Sequence, residues 1–286
     1  MTRPAVCGYW GLTHPHMSNK NGQLITNISQ PLYDGWTGIN ASSLKKFLVS
    51  PMHYKSWLDN KAEEKTGDAF RFGTAFHMAV LEADRFAGHF LQAPEVDRRT
   101  KEGKMIWADF QNNLNLNGDN YLTKQEYEAL VNMVFLVNHN KFWNDIQRDT
   151  KSEFCEAGFE CEYLGIKIKG RIDYFNATKN VIIDWKTIND TPTKRTVKSE
   201  IYSKGYDIQN FMYQKGIEIV TGVKPKFYFG FIEKKPPYSI AFYELPQWRI
   251  DEVQQVVDAE LVRMHNAKET GIYAGLPSEN NPMIVE

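Results

Sequence analysis

Two aspartates and a lysine stand inside strand-forming sequence, where charge is costly. Asp173 closes the run Gly170-Arg171-Ile172-Asp173. Eleven residues later Asp184 opens Asp184-Trp185-Lys186, directly behind the apolar Val181-Ile182-Ile183. An unpaired buried charge costs several kcal/mol, so such groups are normally paired or bound to a metal. Side chains alternate along a strand, which puts Asp184 and Lys186 on one face. Two acids and a lysine converging at a sheet edge suit metal-dependent hydrolysis of a phosphodiester. Mg²⁺ takes hard oxygen ligands and keeps several waters, so one or two carboxylates suffice to hold it. Asp173 and Asp184 would be those ligands, with the Trp185 backbone carbonyl as another. Lys186 would orient the attacking water, or deprotonate it if burial and a neighbouring cation depress its pKa. Lys167, Lys169 and Arg171, on one face of the preceding strand, would meet phosphates.

The elements that position these residues follow from apolar periodicity. Residues 154–164, 166–176 and 181–187 read as three consecutive antiparallel strands, with turns at Gly165 and at residues 176–180. This pairing brings Asp173 beside Asp184. After a polar loop, residues 206–220 read as a helix, 226–233 and 239–245 as two strands, and 246–268 as a long amphipathic helix. Upstream, residues 39–48 form a helix capped by Asn40 or Ser42, and residues 50–58 form another, with Ser50 as N-cap and Pro51 at its first position. A charged loop spans 61–68. Residues 72–82 are an apolar helix carrying His77, residues 92–120 a polar, Asn-rich loop, and residues 123–147 helical. Residues 1–38 read as an irregular lead-in with a short strand near Leu24-Ile25, and 39–286 as a single domain. The fold class is therefore α/β: a mixed central sheet flanked by helices, with a helical N-terminal part.

Bulk properties exclude several classes. The chain has 286 residues, is 42% apolar and carries a net charge of −1, so there is no global electrostatic footprint for nucleic acid. A local one exists: residues 165–204 hold nine Lys/Arg against four Asp/Glu. Three cysteines (Cys7, Cys155, Cys161) give no disulfide framework, no zinc spacing and no four-cysteine iron–sulfur set. With no secretory pattern and no apolar run of membrane length, the expectation is a cytoplasmic protein without a membrane partner.

The order acid, spacer, Asp-X-Lys resembles the PD-(D/E)XK nuclease superfamily. Three further motifs narrow the likeness: Ser50-Pro51-Met52-His53-Tyr54-Lys55, then Phe72-Gly73-Thr74-Ala75-Phe76-His77 with Leu81-Glu82, then Gln209-X-X-X-Tyr213. Together with Gly-Arg-Ile-Asp they resemble the RecE (exonuclease VIII) branch and its phage relatives, over about residues 39–245. The resemblance implies a PD-(D/E)XK core and a Mg²⁺-dependent exonuclease, with Mn²⁺ able to substitute, that degrades one strand of linear double-stranded DNA, usually 5′ to 3′. It implies a single-strand annealing partner of the RecT type, a role in homologous recombination, and a ring-shaped homo-oligomer, as several members form. Residue by residue it makes His77 the helix-borne active-site histidine and a metal ligand, Asp173 and Asp184 the metal acids, and Lys186 the catalytic lysine. Gln209 and Tyr213, one helical turn apart, would contact DNA. Arg171 and Tyr206 are further DNA-binding candidates, and Glu156 a further acid. The chain departs from the family in lacking a Pro before Asp173, where Ile172 stands. Two alternatives remain open. One is a Cas4- or AddB-like or restriction-type nuclease of the same superfamily, although three cysteines do not make a Cas4-type cluster. The other is a non-catalytic DNA-binding recombination module.

Overall fold

The computed structural model describes residues 16–60, 68–114, 121–148 and 152–276. The expectations for residues 1–15, most of the 61–68 loop, residues 115–120 and Cys7 lie outside these. A hairpin leads the chain: β1 (His16–Asn19) and β2 (Gly22–Ile25). Helices α1 (Gln30–Gly35), α2 (Ala41–Val49), α3 (Pro51–Asp59), α4 (Asp68–Leu81) and α5 (Ala83–His89) follow. Next come β3 (Leu91–Gln92), α6 (Lys101–Asn113), β4 (Tyr121–Leu122), α7 (Lys124–His139) and α8 (Lys141–Gln147). Three strands make the sheet centre: β5 (Glu153–Tyr163), β6 (Ile166–Asn176) and β7 (Val181–Ile188). Helices α9 (Lys194–Lys204) and α10 (Tyr206–Thr221), strands β8 (Lys226–Glu233) and β9 (Ile240–Tyr243), and α11 (Gln247–Thr270) complete the described order.

The main sheet runs β1-β2-β5-β6-β7-β8-β9. Its neighbours are antiparallel except β7 and β8, which are parallel and joined through α9 and α10. One face is covered by α2, α10 and α11 through Phe47, Phe211, Ile217, Val257 and Leu261. The other is covered by α4, α7 and α8 through Phe76, Val80, Met133 and Trp143, which meet Ile183 and Trp185. Two glycines let α10 lie close to the sheet. A Cβ at Gly170 or Gly216 would come within 2.4 Å or 2.2 Å of the Phe159 ring, which fills the space between them.

Helix caps follow the sequence where side chains dictate them. Asn40 Oδ1 accepts the Ser43 N–H and Ser50 Oγ accepts the His53 N–H, each satisfying an orphan donor. Four expectations are corrected. The lead-in is less irregular than expected: the short strand expected near Leu24-Ile25 is β2, which pairs with β5, and β1 extends the sheet by one more strand. Helix α6 occupies part of the 92–120 stretch read as loop, and α9 replaces the polar loop before α10. Cys161 is free and buried. Lys169 does not present itself to phosphate. It is buried and donates to the Tyr33 and Trp36 carbonyls at the end of α1, both at 2.8 Å. Among the described residues no helix is long and apolar enough to cross a membrane.

Candidate active site

The site forms where strand alternation breaks. Phe154, Ala157, Ile172 and Phe175 all join the same core face, although 154 and 157, like 172 and 175, are three positions apart. Cys155 and Tyr174 face the opposite core. The break is centred on Glu156 and Asp173. Glu156 adopts φ 43°, left-handed backbone that a non-glycine residue occupies at a cost. Both carboxylates are thereby delivered to one edge of the α4-covered face.

Helix α4 brings His77 to them. Its Nδ1 lies 3.3 Å from Asp173 Oδ1 and 3.9 Å from Glu156 Oε1. Ligand atoms of His77, Glu156 and Asp173 all lie within 4.8 Å of one another. The second Asp173 oxygen accepts the Trp185 N–H at 2.7 Å, so it is the Trp185 amide that reaches this cluster. The Trp185 indole is core, edge-on to Trp143 and Phe76. Arg171 Nε pairs with Glu156 Oε2 at 2.9 Å and is itself held by Gln30 Oε1 at 2.9 Å.

Beside this cluster lies a second charged pair. Asp184 is 0% exposed. Its Oδ2 is 2.6 Å from Lys186 Nζ, and its Oδ1 accepts from Gln209 Nε2 at 3.0 Å. Lys186 Nζ sits 4.7 Å from the centre of the Tyr206 ring, within cation–π range, and Lys45 Nζ stands 5.7 Å from the same ring.

Burial and mutual charge set the protonation states. Burial, reinforced by Asp173, pushes the Glu156 carboxyl up to about 7. Burial likewise lifts Asp184 to about 6, against the pull of Lys186. Burial would also raise Asp173, but His77, Lys186 and the Trp185 N–H outweigh it and hold the group below its ordinary value. Burial depresses His77, yet Asp173 and Glu156 overcome it and raise the imidazole to about 9. Lys186 is likewise depressed by burial and raised further by Asp184 and Asp173, so its net shift is upward. In the metal-free protein Lys186 is therefore held as an ammonium beside Asp184.

A cavity of about 450 Å³ opens over these groups, and His77, Glu156, Arg171, Asp173, Lys186 and Tyr206 all line it. Asp184 and Gln209 stand behind Lys186. Tyr213 does not line the cavity: it is buried edge-on against Phe159, so the helix pair read as a DNA contact has one member in the core. Sequence reasoning missed Phe70, Gly73 and Thr74, which line the cavity from α4. The signal was available, because residues 70, 73, 74 and 77 share a helix face. A cleft of about 500 Å³ near Ile106 and Phe110 holds no comparable cluster.

A family described as a PDDEXK-like domain of unknown function (DUF3799) matches residues 40–275. The chain belongs to this family. Its PDDEXK-like sheet is also found in a candidate exonuclease from Eubacterium rectale, whose crystal structure superposes with a TM-score of 0.62 at 15% identity, covering 91% of this chain and 95% of that one. At that identity the likeness is one of fold. Protein VC1899 from Vibrio cholerae is 10% identical, with 86% of this chain and 58% of that one covered, but its TM-score of 0.25 carries no argument. No curated protein matches.

Proposed function

We propose that this protein is a divalent-metal-dependent deoxyribonuclease that degrades one strand of linear duplex DNA from an end. The observation that carries the reading is the convergence of His77, Glu156 and Asp173 beside the Asp184–Lys186 pair, in one cavity of a PDDEXK-like fold. The donor set fits a hard divalent ion. Two carboxylates and an imidazole nitrogen lie close together, and burial, with Asp173 alongside, lifts Glu156 to about 7, as expected of a buried acid in a space suited to a cation. Mg²⁺ suits the carboxylates, and Mn²⁺ tolerates the histidine as well. When bound, such an ion supplies Lewis-acid stabilisation of charge on the phosphoryl oxygens. Asp173 with His77 would hold it, Glu156 would be a second acid, and Asp184 would stand ready on the far side of Lys186.

The remaining groups act as fixed donors. The Lys186 ammonium, anchored by Asp184 and stacked on Tyr206, would donate to a phosphoryl oxygen or hold the attacking water in line. Gln209 fixes the Asp184 carboxylate and so sets where Lys186 points. Arg171 spans Gln30 and Glu156 at the cavity wall, a position from which it would meet the adjoining phosphate.

The finer features rest on the RecE-like motif order; the exonuclease description of the E. rectale fold neighbour is in line with action on ends alone. They are action on ends, 5′ to 3′ polarity, Mg²⁺ in the cell, assembly as a ring, and work beside a RecT-like annealing protein in recombination. The test is digestion of linear duplex, linear single-stranded and covalently closed circular DNA, with Mg²⁺ and with EDTA, beside Lys186→Ala. Mg²⁺-dependent loss of linear duplex alone is expected. Cutting of the circle would make it an endonuclease on the same fold. No cutting at all would favour a non-catalytic DNA-binding module.

A further inference from the structure

A second polar cleft opens further along α10 and shares no lining residue with the cavity above. It encloses about 260 Å³ and is walled by Asn210, Gln214, Lys224, Lys226, Phe227 and Glu244, among others. Its floor is chemically unfinished. Asn210 is 1% exposed, and among the described residues neither its Oδ1 nor its Nδ2 has a hydrogen-bond partner. Gln214 is 6% exposed; its Nε2 donates to the Pro225 carbonyl at 2.8 Å, while its Oε1 has no partner among the described residues. Three orphaned polar atoms in one buried patch are costly, each by an amount comparable to a lost hydrogen bond. The rim is cationic: Lys224 and Lys226 are both exposed, against one exposed acid, Glu244.

The unfinished floor defines its complement. Asn210 offers one NH₂ group and one acceptor, and Gln214 adds a second unpartnered acceptor beside the N–H left on its amide nitrogen. Turning the Asn210 amide over exchanges the order of donor and acceptor but not the inventory. A planar ligand with one acceptor and two neighbouring donor groups completes all three. Of the four DNA bases, guanine alone carries that set on its Watson–Crick edge: O6, N1–H and N2–H₂. Adenine, cytosine and thymine each present a single donor group there, which leaves an oxygen of the floor unpaired. The volume accommodates one base, Phe227 supplies an aromatic wall, and the rim lysines suit a phosphate.

We propose that this cleft is a guanine-nucleotide subsite, the base read by Asn210 and Gln214 and its phosphate met by Lys224 and Lys226. It stands independently of the nuclease reading. The guanine can arrive as a free nucleotide or within a strand.

Calorimetric titration of the full chain with dGMP, dAMP and dCMP, in EDTA, tests this. dGMP should bind about tenfold or more tighter than the other two, the cost of leaving a buried acceptor unpaired. Asn210→Asp should remove most of that preference. Lys226→Ala, at an exposed position that leaves the fold undisturbed, should weaken dGMP several-fold and leave deoxyguanosine unchanged. Binding should persist in Asp173→Asn, which alters the other cavity. A short oligonucleotide carrying a single guanine separates the sources: tighter binding than dGMP assigns an in-strand base, weaker binding a free nucleotide. No binding by any of these probes, with ordered waters then filling the cleft, would overturn the proposal. So would equal affinity for dGMP and dAMP, indifference to Lys226→Ala, or loss of binding in Asp173→Asn.

Discussion

Replacing Lys186 with methionine should destabilise the metal-free protein in a manner that depends steeply on pH. The substitution keeps the aliphatic stem but leaves Asp184, at 0% exposure, with Gln209 as its remaining hydrogen-bond partner. Breaking a buried pair by removing one member costs about 3–5 kcal/mol when the other stays charged. Asp184 already titrates near 6 because burial outweighs Lys186, and without Lys186 its pKa rises further. A carboxyl whose folded pKa exceeds its unfolded value binds protons more readily when folded. Its contribution to stability is therefore lost as pH rises from the unfolded pKa through the folded one. Near pH 5 Asp184 is neutral in both proteins, so the difference should shrink to about 1 kcal/mol of altered packing. At pH 8 the deficit should approach about 3 kcal/mol, or roughly 6 °C in melting temperature for a chain of this length. The assay is urea denaturation of both proteins at pH 5 and pH 8 in EDTA. Taking the difference between the two proteins cancels the titration of Glu156 to first order, while His77 and Asp173, which also feel the Lys186 charge, each move upward with Asp184. A deficit that is equal at the two pH values, or larger at pH 5, would refute the reasoning.

Three further outcomes follow from the same geometry. Gln209→Ala, which frees the Asp184 carboxylate, should lower cleavage about tenfold while leaving Mn²⁺ affinity nearly intact, and equal loss of both would move Gln209 into the metal shell. Glu156→Gln should weaken Mn²⁺ binding measured by calorimetry by about tenfold or more; unchanged affinity would leave Glu156 with only its role of holding Arg171. Lys169→Met removes the clamp on the Tyr33 and Trp36 carbonyls, so it should cost about 2 kcal/mol and raise hydrogen exchange across residues 29–36. Weaker DNA binding at unchanged stability would instead return Lys169 to phosphate contact.

The strands of the candidate site were legible because their signal is local. Asp173, Asp184 and Lys186 are charges embedded in apolar, β-branched runs, and the antiparallel register expected from the short turn is the one found at Tyr174–Ile183 and Asn176–Val181. Caps at Asn40 and Ser50 were legible for the same reason. What escaped depends on distant partners. The first strand of the hairpin, β1, is polar and largely exposed at the sheet edge, so it has no apolar alternation to announce it, whereas β2 was read from Leu24-Ile25. Among its described residues α6 buries only Gly103 fully, which leaves no stripe to read. Lys169 lies on the face that alternation assigned it, but that face is covered by α1, a contact no local pattern encodes. Glu156 reaches the cluster only through a positive φ within a strand, and periodicity would place it otherwise. Tyr213 has the spacing of a surface pair, yet the two glycines that draw α10 onto the sheet bury it.

The most direct test of the central claim is an anomalous-scattering map from crystals soaked in Mn²⁺. A peak within the cavity, held by Asp173 together with His77 and a second carboxylate from Glu156 or Asp184, is the expected result, and it would name the second acid. No peak there, or a peak elsewhere that does not touch Asp173, would contradict the account.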